Sequence, residues 1–177
     1  MANMKSVVAR NRVFADTDAK ARVPQIPFVP NQQLYVITCI DPRVDPAVVL
    51  GLELGDAIVA RNVGGRVTPA VLQDLAWISY LHEVKTPDAD WFDIAVIHHT
   101  DCGSGLLADD GLRHDFAARG FDEHDLARLP VLDPAETVQA DVTTLLQFVN
   151  LHTGVRVFGY AYDLATGLIT AVGEPGT

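Results

Sequence analysis

Leu34-Tyr35-Val36-Ile37-Thr38-Cys39 runs directly into Ile40-Asp41-Pro42-Arg43, and this junction decides the fold. The first of these runs is apolar and β-branched without polar alternation, as expected of a strand covered on both faces. Asp41-Pro42 ends it, because proline brings no amide to a ladder and restricts the residue before it. A strand buried on both sides belongs to a largely parallel sheet, so helices and further strands should alternate along the chain.

They do. Residues 57–60 read as a second short strand closing on Arg61-Asn62-Val63-Gly64-Gly65, where two glycines permit unusual backbone angles or close approach. Thr68 caps a helix with Pro69 at its first position, running to about Val84 with Leu72, Leu75, Ala76, Ser79 and His82 on successive turns. Beyond the loop Lys85-Thr86-Pro87-Asp88-Ala89-Asp90, residues 92–98 form a third strand that ends at His98-His99-Thr100-Asp101-Cys102-Gly103. A helix is expected near 106–119. Asp133-Pro134-Ala135-Glu136 carries a capping box that opens another, with Val138, Val142, Leu145, Leu146 and Val149 as its apolar stripe. Residues 155–162 and 168–172 alternate as strands around Asp163-Leu164-Ala165-Thr166-Gly167, a loop of hairpin length. The expected fold is α/β: a mainly parallel central sheet flanked by helices on both faces, with an antiparallel edge strand, in three α/β/α layers.

The 177 residues suit one compact domain, residues 31–177, able to bury a core without disulfide staples. Val23-Pro24-Gln25-Ile26-Pro27-Phe28-Val29-Pro30 cannot continue a helix or a central strand. Residues 1–30 therefore read as an arm outside the core, free to pack on a partner subunit. A net charge of −10 speaks against nucleic acid and anionic membranes as partners. The N-terminus lacks the apolar stretch of a secretory signal, and no run is long enough to span a bilayer, so a cytoplasmic address is expected. In a reducing cytosol, two cysteines suggest a metal or redox role before a staple.

Open parallel sheets bind ligands beyond the carboxyl ends of their strands, where the strand order reverses. Cys39 ends the first strand, the Gly64-Gly65 loop follows the second, and His99 and Cys102 follow the third. Two thiolates and one imidazole suit zinc, with the fourth tetrahedral position left for water. A lone H-x-x-C is weak, however, and buried cysteines are often no more than small hydrophobes. Asp41 and Arg43, two and four residues past the thiol, are either a surface pair or a switch. On the residues alone, both readings stand.

Taken together, the motifs resemble the β-class carbonic anhydrases. Cys39-Ile40-Asp41-Pro42-Arg43 matches that family's C-x-D-x-R, Arg61-Asn62-Val63-Gly64-Gly65 looks like its R-N-x-G-G, and His99-Thr100-Asp101-Cys102-Gly103 is similar to its H-x-x-C-G. The resemblance spans residues 34–172. It implies one Zn2+ per chain on Cys39, His99 and Cys102, with Asp41 paired to Arg43 and accepting a hydrogen bond from the zinc's water. In a closed, inactive form of the family Asp41 becomes a fourth metal ligand. The Gly103 amide would contact bicarbonate. The implied activity is reversible hydration of carbon dioxide to bicarbonate and a proton, in a homodimer or homotetramer. Relatives on the same scaffold hydrolyse carbonyl sulfide or carbon disulfide, and the 85–91 connection is longer than usual for the family. A non-catalytic zinc or bicarbonate sensor would be marked by a broken Asp-Arg pair or a closed fourth position, and Asp41 and Arg43 are intact; a thiol redox protein would be marked by C-x-x-C, which is not in the chain. Two thiolates neutralise the ion's charge, so activity should improve on the alkaline side.

The remaining histidines invite plainer expectations. His98 should point to the sheet face opposite His99, as a core or supporting residue. His82, His114, His124 and His152 are expected at the surface. Trp77, Trp91 and the tyrosines are expected in core or interface.

Overall fold

The computed structural model describes residues 4–18, 21 and 29–173. Five strands form one sheet in the order β2-β1-β3-β4-β5: β1 (Leu34–Cys39), β2 (Ala57–Asn62), β3 (Asp93–His99), β4 (Arg156–Asp163) and β5 (Leu168–Ala171). Each pair among the first four is parallel, and β5 runs antiparallel to β4 as the edge. β1 lies between β2 and β3, which explains why its residues after Leu34 are all buried.

The helices are α1 (Met4–Ala15), the short α2 (Pro46–Val49), α3 (Pro69–Lys85), α4 (Asp110–Ala117), α5 (Glu123–Ala127) and α6 (Pro134–Leu146). α3 and α6 begin where the caps direct: the Thr68 hydroxyl accepts from the Val71 amide at 3.4 Å, and Asp133 accepts from Ala135 and Glu136 at 2.8 and 3.2 Å. Val71 and Leu75 of α3 and Val138 and Leu145 of α6 cover Tyr35, Ile37, Ile94, Val96 and Val157 on one face of the sheet. Burying a leucine this fully stabilises by about 2 kcal/mol. Gly159 of β4 lets α6 settle, because a side chain there would collide with Val138 and Val142. On the opposite face Val36, Ala95 and Ile97 lie beneath Leu50 and Leu52, just after α2, and beside Tyr160 and Tyr162. α3 and α6 thus share one face, and Leu50 and Leu52 after the short α2 cover part of the other.

Several sequence expectations change. The helix expected over 106–119 is divided into a tight 3-10 turn, Gly103–Ala108, and α4, because Asp109 accepts from the Leu112 amide at 2.8 Å and starts a new helix. α6 stops at Leu146, so Val149 leaves the apolar stripe and is 91% exposed. His82 is buried rather than at the surface, stacked on Trp91 at 4.3 Å. Trp77 is exposed on α3. Within the N-terminal arm, α1 buries none of its residues; most of the proline-rich stretch lies outside the described residues. Among the described residues no helix is long and apolar enough to cross a membrane.

Candidate metal centre

The parallel register brings the strand ends level, with Cys39 opposite Asn62 and Thr38 opposite Ile97. Cys39 closes β1 and His99 closes β3 at the same end of the sheet. Between His99 and Cys102 the chain turns through Asp101, whose φ of +52° lies in the left-handed region that aspartate tolerates better than most residues. That turn carries Cys102 back over the strand ends. The two sulfurs are 3.8 Å apart, and the ligand atoms of Cys39, His99 and Cys102 lie within 4.8 Å of one another. All three residues are buried, and no other group of three such side chains converges among the described residues.

The donor set fits a soft, tetrahedral cation such as zinc. Nδ1 of His99 is 2.9 Å from the Thr100 carbonyl, which only accepts, so Nδ1 holds a proton and Nε2 is left as the atom that could coordinate a metal. Nε2 is buried and has no hydrogen-bond partner placed against it. The Ser104 hydroxyl sits 3.2 Å from the Cys102 sulfur and accepts from the Val131 amide at 3.1 Å, which leaves its proton for the thiolate. The hydrogen bond from Cys39, and then the neighbouring His99 imidazole and Ser104 hydroxyl, draw the Cys102 thiol well below its usual range despite the opposing cost of burial. The same bond, reinforced by burial, pushes Cys39 up. Burial opposes charge on His99, but the neighbouring Cys102 outweighs it and the imidazole is raised. Cys39, His99 and Cys102 would give up these protons on holding a metal.

Arg43 grips Asp41 through Nε at 3.0 Å and Nη2 at 2.7 Å, and the Arg43 amide donates to the same carboxylate at 2.9 Å. These contacts, the side-chain hydrogen bonds first, hold the Asp41 carboxyl down to about 2. Arg43 also reaches across to the turn, donating to the Asp101 carboxylate at 2.8 Å and its carbonyl at 2.9 Å. Asp41 therefore stands on Arg43 and is not grouped with the three metal-type donors. Gly103, next to Cys102, is exposed and has open space where a side chain would be.

A family model described as carbonic anhydrase matches residues 34–121. "Beta-carbonic anhydrase 1" of Mycobacterium tuberculosis is 32% identical over 155 residues, covering 83% of this chain and 86% of that protein. The chain belongs to the β-carbonic anhydrase family. A carbon disulfide hydrolase of Acidianus sp. is 27% identical over 172 residues, covering 84% of this chain and 80% of that one. The crystal structure of carbonic anhydrase from Streptococcus mutans superposes with a TM-score of 0.74 at 29% identity, covering 98% of this chain and 99% of that chain.

In this β-carbonic anhydrase family member, three residues around the site escaped the motif reading. Arg61 donates to the carbonyls of Cys39 at 2.9 Å and Asp41 at 2.7 Å, and pairs with Asp45 at 2.9 Å, clamping the backbone that presents the first thiol. Asp101 and Ser104 contact Arg43 and Cys102 as described. Arg61 lies within a quoted motif, but its targets are 16–22 residues away in sequence. The side chain of His98 points to the face opposite His99, as expected, and binds groups from two other elements.

Proposed function

We propose that this chain is a zinc lyase, a carbonate dehydratase that reversibly hydrates carbon dioxide to bicarbonate and a proton. Membership of the β-carbonic anhydrase family, together with the converging Cys39, His99 and Cys102, supports the reading. These three residues would hold one zinc per chain, and zinc held there supplies a Lewis acid able to ionise water near neutral pH. Asp41, kept ionised and turned toward Arg43, is a fixed acceptor beside the site, and it orients the attacking water. Arg43 restrains that carboxylate through one edge of its guanidinium and ties it to the Asp101 turn through the other. The amide of Gly103, an exposed residue next to Cys102, would contact bicarbonate. In the family's closed form Asp41 would leave Arg43 and become a fourth ligand.

A second reading, carbonyl sulfide or carbon disulfide hydrolysis, is favoured by the likeness to the Acidianus enzyme over most of both chains. Stopped-flow carbon dioxide hydration beside a sulfide-release assay separates the two, using zinc-loaded protein and Asp41→Ala as control. Hydration that rises from pH 6 to pH 9 and falls in the control is the expected result; sulfide release without hydration overturns the ranking.

The functional unit is proposed to be a cytoplasmic homodimer or homotetramer. α1 presents Val7, Val8, Val13 and Phe14 to solvent and carries Lys5, Arg10 and Arg12 without an acidic residue, on a chain of net charge −10. Such a helix suits a second copy of this acidic chain. Both cysteines are free thiols, as a reducing compartment requires.

A further inference from the structure

Behind the metal site, on the face covered by α3 and α6, lies a buried polar network that the hydration reaction does not touch. Asp141 of α6 is 4% exposed and accepts from Arg66 Nε at 2.8 Å, from Arg66 Nη2 at 3.0 Å and from the Val67 amide at 3.0 Å. The fully buried His98 sets Nε2 at 3.1 Å from the Gly65 carbonyl and 3.3 Å from the Asp141 carboxylate, and its Nδ1 at 2.8 Å from the Thr137 hydroxyl of α6. The carbonyl and the carboxylate only accept, so Nε2 holds a proton and donates.

The partner of that donor is the loop that braces the first thiol. Gly65 has φ +69°, and a Cβ on it would lie 2.7 Å from the Cys39 amide nitrogen and from the Thr38 carbonyl carbon. The loop is thus pressed on the Cys39 backbone without slack, and the amide of Gly64 lies against the Cys39 sulfur. An ion pair buried this deeply contributes little net stability over apolar packing of the same volume. What it supplies is direction, because each bond has one geometry.

We propose that Asp141, Arg66 and His98 are positioning residues for the metal centre, holding the Gly64-Gly65 loop and, through it, the Cys39 sulfur in the geometry the ion needs. This rests on the zinc reading above. The strand supplies the means: β3 turns His99 toward Cys39 and Cys102 from one face and His98 toward α6 from the other, so two consecutive residues carry a candidate ligand and the brace behind it.

The test measures zinc affinity by chelator competition on the full chain, together with the visible spectrum of the cobalt-loaded form and a thermal melt. His98→Leu removes the donor to Gly65 and should weaken zinc binding by about 10–100-fold and shift the cobalt spectrum. His98→Gln, whose amide can still donate to Gly65, should recover most of that loss, which a role in packing alone would not predict. A folded His98→Leu chain that binds zinc within about twofold of the parent overturns the proposal. Should His98→Leu not fold, Thr137→Val removes only the hydroxyl at Nδ1, and a smaller loosening in the same direction is expected; unchanged affinity there overturns it too. A parent chain that takes up no zinc overturns the functional reading and this proposal with it, whereas a zinc-binding parent with an indifferent His98→Leu overturns this proposal alone.

Discussion

Two buried histidines begin from nearly the same local arrangement and end in different chemistry. His99, at the carboxyl end of β3, spends Nδ1 on the Thr100 carbonyl at 2.9 Å and leaves Nε2 without a hydrogen-bond partner. His82, on α3 beside the start of β3, spends Nε2 on the Asp90 carbonyl at 3.1 Å and leaves Nδ1 without one. Around His99 stand two sulfurs. Around His82 stand rings: Trp91 stacks on it at 4.3 Å and on His152 at 3.9 Å, with Phe92 close by. An orphaned imidazole nitrogen is therefore no metal site by itself; the neighbours that the strand ends bring to it decide.

The comparison breaks most sharply if both histidines are removed in turn. His99→Ala or Cys39→Ser should abolish zinc uptake and lower kcat/KM by on the order of 10³-fold or more, about 4 kcal/mol of transition-state stabilisation. His82→Phe should leave metal content unchanged and kcat/KM within about twofold, read by metal analysis and stopped-flow hydration. Activity that follows His82 instead would dissolve the distinction.

Next in size are substitutions at two glycines of the metal end. Gly65→Ala meets backbone at 2.7 Å and a φ of +69°, so denaturant unfolding should report a loss of more than about 2 kcal/mol, with weaker zinc binding. Gly103→Ala meets open space and should stay within about 0.5 kcal/mol of the parent.

Arg43→Gln sharpens the contrast by pH. Arg43 holds the folded Asp41 near 2, below the ordinary value of about 3.9 for an aspartate. Stability from that pairing is present above the ordinary value and is lost as pH falls through it toward 2. The melting temperature of Arg43→Gln should therefore lie below the parent's at pH 6 and converge with it by about pH 2. Hydration should fall by about 10–100-fold, since the acceptor is no longer restrained.

The smallest effect belongs to the aromatic end. His152→Ala uncovers one face of Trp91 and should cost about 0.5–1.5 kcal/mol, with zinc affinity unchanged in chelator competition.

Much of this was legible in the chain. LYVITC announces a strand covered on both faces because nothing in it is polar on alternate positions, and Thr68-Pro69 and Asp133-Pro134 announce helix starts because their caps act on amides two or three residues away. Cys39, His99 and Cys102 were legible as residue types suited to a metal at strand ends. His82 was not, because its burial depends on Trp91, which the helix pattern does not mention. Val149 was misplaced for the opposite reason: the apolar period continues past Leu146 although the helix does not.

The sequence by itself determined what is local: where strands stop, where helices start, which thiols and imidazoles lie just past the strand ends, and that Asp41 is within reach of Arg43. The tertiary structure alone decided which distant groups meet. It set Arg61 on the carbonyls of Cys39 and Asp41, the Ser104 hydroxyl between Cys102 and Val131, and Asp141 of α6 behind His98. The reason is one of range. Backbone preferences and caps act over a few residues, whereas most of these contacts join positions tens of residues apart and the Arg66–Asp141 pair beside them spans 75, brought together only by parallel register and by the packing of α6 on the sheet.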